Sequence, residues 1–290
     1  MVDALLRERL KYGFVLPYGD AKAVARLAAV AEDSGWDGFF VWEAVWGIDA
    51  WVSLTAAAMR TERIRLGTLL TPLPRRIPWD LASQAATLDN LSGGRVILSV
   101  GLGALHSGWT AFEPDQGRKV RAEKLDEGLA VLAGLWSGEP FHHDGVHYQV
   151  KPTDFFPPPP PVQRPRIPIW VVGAWPRMKS MRRAVAWDGW LPYYKPVEPS
   201  EPQRPMNRPW LEEEFPAAVE WLAAQRGTLE GYDIIADGAT PAEDPDAAAA
   251  AVRPWAQAGA TWWIEGDWSV PADRVPRYAE RRLRAGPPRV

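Results

Sequence analysis

Eight apolar runs alternate with amphipathic stretches along the chain, and this alternation limits the possible folds more than any other feature of the sequence. The clearest unit, residues 63–103, reads as strand, loop, helix, strand and loop. Apolar strands that alternate with helices indicate a parallel sheet covered by helices. Asp20 and Asp246 are predicted to cap two of the helices. The eight predicted strands are marked by Tyr12, Phe39, Ile64, Val96, Ile169, Gly189, Tyr232 and Thr261.

Eight such units in 290 residues predict a closed (β/α)8 barrel, the TIM-barrel architecture, which needs about 250 residues plus insertions. The alternative is an open Rossmann-type sheet, for which Gly-x-Gly-x-x-Gly is expected after the first strand. That strand is followed instead by Pro17-Tyr18-Gly19-Asp20, and Gly101-x-Gly103, after the fourth strand, has His106 in place of the third glycine. We therefore predict a single barrel domain over residues 1–290.

Two insertions are predicted, after strands 4 and 6. The first contains a helix from Arg118 to Trp136, a hairpin from Phe141 to Val150 that turns at Asp144-Gly145, and a proline run from Pro157 to Pro161. Asp-Gly is the usual dipeptide of a short hairpin turn. The second insertion is a polar, proline-rich loop from Tyr193 to Asn207.

The composition excludes several classes of function. The chain has no cysteine, so disulfides, thiolate catalysis and cysteine-ligated metals are excluded. A net charge of -3 gives no reason to expect a nucleic acid or a membrane surface as partner. The N-terminal segment lacks the apolar core of a signal peptide, and we expect a cytoplasmic protein. The 17 tryptophans reflect either a high-GC genome or an aromatic-walled pocket.

The ligand site of a (β/α)8 barrel lies at the C-terminal ends of its strands. That rule selects the candidate site residues, among which tryptophans are assigned to a substrate pocket. Trp109 is added from the loop after strand 4. The residues selected at the strand ends are Glu43, Trp46, Leu69, Leu70, Thr71, Gly101, Gly103, His106, Gly173, Ala174, Trp175, Trp190, Asp237, Glu265 and Trp268.

Most of these candidates have more than one interpretation. Glu43 is a general base, an acceptor for a ligand, or a rim carboxylate paired with an arginine. His106 is either catalytic or structural. The segment from Gly173 to Arg177 is interpreted as a tight turn opening a helix, which either binds phosphate or is an ordinary connection. His142 and His143 are neighbours on a strand and point to opposite faces, so we predict no metal site.

The motifs Gly35-Trp36-Asp37-Gly38-Phe39, Pro72-Leu73-Pro74-Arg75-Arg76 and Leu91-Ser92-Gly93-Gly94-Arg95 resemble those of the bacterial luciferase-like flavin monooxygenase family. The Leu-Ser-Gly-Gly-Arg stretch is the more specific, and the resemblance covers nearly the whole chain. It implies a (β/α)8 barrel that binds reduced FMN or the deazaflavin coenzyme F420 at the strand ends.

The resemblance also assigns roles to particular residues. It implies that a bulge at Leu69 to Thr71, often with a non-proline cis peptide, backs the isoalloxazine ring. It places the phosphate at Gly173-Ala174 and makes Gly101 and Gly103 neighbours of the ring edge. Many members have a histidine after the acidic residue of strand 2, where this chain has Ala44.

Three functional hypotheses follow. The first is a monooxygenase that uses reduced FMN, supplied by a separate flavin reductase, and O₂ to oxygenate a small organic substrate. The second is an F420-dependent oxidoreductase that transfers hydride, with Glu43 as substrate or proton partner. The third is a non-catalytic flavin-binding protein, which Ala44 favours. A homodimer is expected from the resemblance.

Overall fold

The strands of the computed structural model close into a barrel, with helices outside it. The structure describes residues 9–153, 159–194 and 208–290. The order of its helices and strands is β1 (Lys11–Leu16), α1 (Ala21–Asp33), β2 (Gly38–Val41), α2 (Ala50–Ala58), β3 (Arg65–Thr71), α3 (Pro78–Ser92), β4 (Val96–Val100), α4 (Arg118–Trp136), β5 (His143–Asp144), β6 (Gln149–Val150), β7 (Ile169–Trp175), α5 (Met178–Val185), β8 (Gly189–Tyr194), α6 (Arg208–Glu213), α7 (Phe215–Arg226), β9 (Asp233–Gly238), α8 (Pro245–Gln257), β10 (Trp262–Glu265) and α9 (Val275–Arg284).

The barrel contains eight parallel strands in the order β1-β2-β3-β4-β7-β8-β9-β10, and β10 returns to β1. Lys11 of β1 lies opposite Trp262 of β10 at the closure. β4 pairs with β7 across the first insertion, with Leu98 opposite Ile169. The predicted (β/α)8 barrel is confirmed, and each of the eight predicted strands is present.

The first insertion forms a small two-stranded sheet beside the barrel. β5 and β6 pair antiparallel, but the connection is a four-residue loop closed by a 3.0 Å bond from the Gly145 N–H to the Tyr148 carbonyl. The predicted two-residue turn at Asp144-Gly145 is therefore wrong. The Glu127 carboxylate of α4 accepts the backbone N–H groups of Val146, His147 and Tyr148, and this contact stabilises the longer loop. Part of the proline run and most of the loop from Tyr193 to Asn207 lie outside the described residues.

Aspartate side chains fix where three helices begin. Asp20 accepts the Ala23 N–H at 2.7 Å and caps α1, as predicted. Asp49 caps α2 in the same way. The cap of α8 is Asp244, and Asp246 lies in the first turn. A carboxylate near the positive end of the helix dipole is favourable at either position, so the sequence alone does not separate the two.

The N-terminal end of the barrel interior is filled by aromatic rings. Phe40, Trp170 and Trp262 pack together inside the barrel, with Trp170 and Trp262 centroids 5.2 Å apart. Asp233 accepts hydrogen bonds from both indole N–H groups, at 3.0 and 2.8 Å. Lys11 lies 3.3 Å from the same carboxylate. A cavity of about 920 Å³ lies outside these rings, beside Lys11, Asp233 and Trp262. The ligand sites of (β/α)8 barrels, however, lie at the C-terminal ends of the strands.

The Leu-Ser-Gly-Gly-Arg stretch ends α3 and begins β4. Gly93 caps the helix at φ 69°, and Gly94 follows at φ 85°, a region that non-glycine residues enter at a cost. The turn places Arg95 beneath the C-terminal end of α2, where its buried guanidinium is surrounded by backbone carbonyls. The motif is therefore a structural connection between two barrel units.

Candidate active site

The C-terminal end of the barrel interior is an apolar bowl. Its floor contains Leu69, Leu70, Val172 and Leu191, each of which packs inside the barrel and keeps some exposed surface. Small residues at the ends of neighbouring strands, Gly101 and Ala174 among them, keep the bowl open. Such a concave apolar surface suits the face of a flat ring.

One wall of the bowl is a β-bulge in β3. Thr68 pairs with Leu98, but the next pair joins Thr71 to Val100, so β3 carries one extra residue. The peptide bond between Leu69 and Leu70 is cis. The bulge and the non-proline cis peptide implied by the resemblance are both present, at the positions that it named.

Glu43 is buried behind this bulge, and its carboxylate is held by three partners. It accepts the Thr71 hydroxyl at 2.5 Å and the Trp51 indole N–H at 3.2 Å, and Arg76 lies 3.3 Å away. Thr68 donates in turn to Thr71 at 2.8 Å. Burial raises the pKa of Glu43, opposed by Arg76, Thr71 and Trp51. Of the three interpretations, the geometry matches the rim carboxylate paired with an arginine, and it connects that carboxylate to the bulge.

Replacing Glu43 with glutamine is expected to lower the free energy of unfolding by about 1.5–3 kcal/mol, the range for hydrogen bonds to charged groups. The amide keeps the shape of the side chain but loses the charge that Arg76 and Thr71 contact. Urea denaturation measures the change. The matched control is Glu113→Gln, because Glu113 also pairs with a rim arginine, Arg75, but is 45% exposed; there we expect less than about 1 kcal/mol. Equal losses in both variants would contradict the structural role given to Glu43.

The glycines after β4 lie beside the bulge. Gly101 donates to the Thr71 carbonyl at 3.2 Å, and a Cβ at this position would lie 3.1 Å from Val172 and 3.2 Å from Leu70. Gly103 has φ 79°, and its carbonyl accepts from Arg121 at 3.4 Å. Gly101 therefore faces the bowl, whereas Gly103 turns the chain away from it.

The end of β7 differs from the sequence-based expectation. Gly173, Ala174 and Trp175 are paired strand residues, and α5 begins only at Met178. A Cβ on Gly173 would meet the Trp190 ring, and Trp175 donates to Glu214 on the helix side. Only Ala174 faces the bowl, and its N–H is bonded to the Ser180 hydroxyl at 2.9 Å. The Arg177 N–H donates to the Ala174 carbonyl at 2.7 Å, so the predicted tight turn before α5 is present, but it begins at Ala174; Gly173 and Trp175 do not reach the bowl.

The four predicted pocket tryptophans lie in two different environments. Trp46 is 81% exposed beside a cavity of about 440 Å³ at the ends of β1 and β2. Trp268 is 48% exposed after β10. Trp190, by contrast, is fully buried between barrel and helices, where it donates to the Gly173 carbonyl at 2.9 Å. Trp109 is buried between Arg75 and Arg121. The assignment of Trp109 and Trp190 to an open pocket is therefore corrected.

His106 is exposed in a short helical turn, residues 105–107. Its neighbour Ser107 lines the cavity, whereas His106 does not. The sequence-based selection missed aromatic residues that do line it, Tyr18, Trp42 and Phe112. Tyr18 and Trp42 are 5.6 Å apart, and Trp42 and Trp268 6.3 Å. Trp42 directly precedes Glu43, so the strand-end rule could have selected it.

The described part of the chain contains no cluster of three or more histidine, aspartate or glutamate side chains placed to hold a metal ion. None of its described helices is long and apolar enough to cross a membrane.

The fold and the bowl define a (β/α)8-barrel protein with a concave apolar surface at the strand ends. The profile of the luciferase-like monooxygenase family matches residues 11–284, and the chain belongs to this family. It is therefore an oxidoreductase of the luciferase-like class, and the hypothesis of a non-catalytic flavin-binding protein is not retained.

Two kinds of activity occur among the names of the sequence relatives. A putative coenzyme F420-dependent oxidoreductase of Mycobacterium tuberculosis is 32% identical over 264 residues, which are 85% of this chain and 71% of the relative. The 4-hydroxyprotoasukamycin monooxygenase of Streptomyces nodosus is 35% identical over 143 residues, 44% of this chain and 38% of the relative. Among solved structures, the F420-dependent tetrahydromethanopterin reductase of Methanopyrus kandleri superposes with a TM-score of 0.76 at 19% identity, covering 96% of this chain and 98% of that one.

Proposed function

We propose that this enzyme uses coenzyme F420 to transfer hydride to or from a small organic substrate at the barrel mouth. The observation that carries the proposal is the bulge at Leu69 and Leu70, which faces an apolar bowl. The 264-residue match to a relative that is named as a putative F420-dependent oxidoreductase supports it. The second relative of this kind is an F420-dependent glucose-6-phosphate dehydrogenase of Beutenbergia cavernae, 31% identical over 78% of this chain and 66% of the relative.

The residues of the bowl fit the ring of a deazaflavin. The bowl face of Gly101 carries no side chain, and a Cβ there would be in tight contact with Leu70 and Val172. Ala174 is the smallest chiral residue and lies near the end of β7, the strand that pairs with β4. The side chains of the floor are leucine and valine, so a ring face can replace water on them at a gain of about 25 cal/mol per Å² of buried apolar area.

The roles of the chain follow from this placement. Leu69 and Leu70 would contact the ring face and exclude water from it, and the Glu43–Thr71 bond would hold their bulge in place. Arg177 and Lys179, at the start of α5, are the candidates to contact the phosphate. When bound, the coenzyme supplies a hydride donor or acceptor, and the protein supplies position and a dry surface.

A second candidate is the monooxygenase that uses reduced FMN and O₂. It is favoured by Ala44, which replaces the histidine common in the family, and by the Streptomyces nodosus relative. This candidate alone requires the flavin reductase as partner. The homodimer is a prediction for both.

An anaerobic turnover assay separates the candidates. Purified protein is mixed with reduced F420 and a panel of aldehydes, ketones and enones, and oxidation of the coenzyme is followed by its absorbance. We expect substrate-dependent oxidation without O₂. A parallel assay contains FMN, a flavin reductase, reduced nicotinamide and air, and oxygenation of the substrate is measured by mass spectrometry. Oxygenation in this assay together with no reaction in the F420 assay would reject the proposal in favour of the second candidate.

A further inference from the structure

Asp237 lies at the C-terminal end of β9 and faces the inside of the barrel. Alternate residues of a strand point to opposite faces. Ile235 packs in the interior cluster, whereas Ile234 and Ala236 pack between sheet and helices. Asp237 therefore points inward, and its register partner on β10 is the interior residue Ile264.

This carboxylate has no hydrogen-bond or ion-pair partner among residues 9–153, 159–194 and 208–290. Asp233, on the same face at the other end of β9, is bonded to Trp170 and Trp262 and lies beside Lys11. Buried polar groups are normally hydrogen-bonded. β9 thus carries two inward carboxylates, and of these two only Asp233 has partners among the described residues.

No described cation faces Asp237 from the adjoining strands. β8 presents Leu191 and Tyr193 on its inner face, and β10 presents Ile264. Glu265 of β10 points outward, where it lies 3.4 Å from Arg282 and accepts from Thr240 and Trp263. Asp267, after β10, is bonded to Ser269.

Desolvation alone raises the pKa of Asp237 to about 6. The residue nevertheless keeps part of its surface accessible, on a strand whose end lies at the same rim as the bowl. At neutral pH Asp237 is an ionised acceptor to which no group of the described residues donates.

A row of aromatic rings, called the aromatic wall, follows the ends of β10, β1 and β2 at the same rim of the barrel. Trp268 follows β10, the neighbour of β9, and it makes an edge contact with Trp42, which in turn contacts Tyr18. Rings in edge contact offer a rigid apolar surface. The wall and the carboxylate together suit a molecule with an apolar body and one hydrogen-bond donor.

We propose that Asp237 binds the substrate by accepting a hydrogen bond from its hydroxyl or ammonium group, while the apolar body lies against Tyr18, Trp42 and Trp268. The proposal names the substrate class for the proposed function and rests on it for the reaction. The carboxylate contacts the substrate directly and leaves the coenzyme site to β3, β4 and β7.

The test measures probe affinities by ligand-observed NMR titration, with and without F420. The probes are benzyl alcohol, benzylamine and, as the donor-free control, benzyl methyl ether. We expect the alcohol or the amine to bind at least about tenfold more tightly than the ether, because hydrogen bonds to charged groups are the strong ones. Asp237→Leu should remove this preference. Asp237→Asn should remove it for the amine and reduce it for the alcohol. Asp267→Asn, the matched carboxylate with its own partner, should retain it.

Thermal unfolding supplies a readout that a structural role would not give. The pKa of Asp237 in the folded protein, about 6, lies above the ordinary 3.8. Ionisation of Asp237 therefore destabilises the folded protein: the loss of stability begins as the pH rises above 3.8 and is complete above about pH 6. Asp237→Leu should therefore raise the melting temperature at pH 7.5, with a smaller gain at pH 4.5. A lower melting temperature at pH 7.5, or a donor preference absent from the unmodified protein or unchanged in Asp237→Leu, would overturn the proposal. Donor preference without any F420 binding would leave it standing and reject the proposed function instead.

Discussion

Replacing Arg95 with methionine is expected to lower the free energy of unfolding by about 3–5 kcal/mol. The guanidinium donates to the Thr61 hydroxyl and to the carbonyls of Ala58, Thr61, Ile64 and Ser92, at 2.8–3.2 Å. Methionine fills a similar volume but leaves these acceptors without a donor. Each unsatisfied buried group costs about 1–3 kcal/mol. The expected total is smaller than five such costs, because water can enter and donate to some of the acceptors.

Urea denaturation with circular dichroism measures this change. Arg95→Lys should recover only part of the loss, because one ammonium group cannot contact acceptors on several sides of the planar guanidinium. Arg60→Met is the matched control, since Arg60 is exposed at the end of α2, and its effect should stay within about 0.5 kcal/mol. A loss below about 1 kcal/mol in Arg95→Met would show that the motif arginine does not hold the two barrel units together.

Replacing Gly101 with valine is expected to weaken coenzyme binding at least about 100-fold, which corresponds to about 2.7 kcal/mol. The branched side chain would project into the bowl from the position where a Cβ already lies 3.1–3.2 Å from Val172 and Leu70. Gly101→Ala, which adds the Cβ alone, should cost about tenfold in affinity, because Leu70 must shift by a few tenths of an ångström.

Equilibrium dialysis against F420 measures both variants. Ala104→Val serves as control, because Ala104 is exposed in the loop that follows the same strand. Its affinity should equal that of the unmodified protein. Melting temperatures separate loss of the site from loss of the fold. A folded Gly101→Val protein that binds F420 normally would show that the ring does not lie in the bowl.

The sequence predicted the barrel because eight apolar runs in one chain leave few other folds. It could not predict which side chains face the interior. Strands of a closed parallel barrel are buried on both faces, so no polar alternation distinguishes the two sides of β7 and β8. Trp175 and Trp190 were assigned to the site by their distance from a strand end, and Gly173 also by the resemblance. The two tryptophans point to the helices, and a Cβ on Gly173 would point there too.

The resemblance located the bulge of β3 correctly, but Gly173, which it assigned to the phosphate, faces away from the bowl. The bulge at Leu69 to Thr71 came from the resemblance and is present with its cis peptide. The partners of Glu43 were not predictable in detail, because Thr71 and Arg76 come from two later segments of the chain. Asp237 was selected at a strand end, but only the structure distinguishes it from the bonded Asp233.

Direct binding of the two coenzymes tests the central claim most simply. Purified protein is titrated with F420 and, separately, with FMN, and quenching of the tryptophan fluorescence is followed in each case. The proposed site predicts saturable binding of F420 at least about tenfold tighter than that of FMN, with the preference lost in Gly101→Val. Tighter binding of FMN, or no binding of F420, would contradict it.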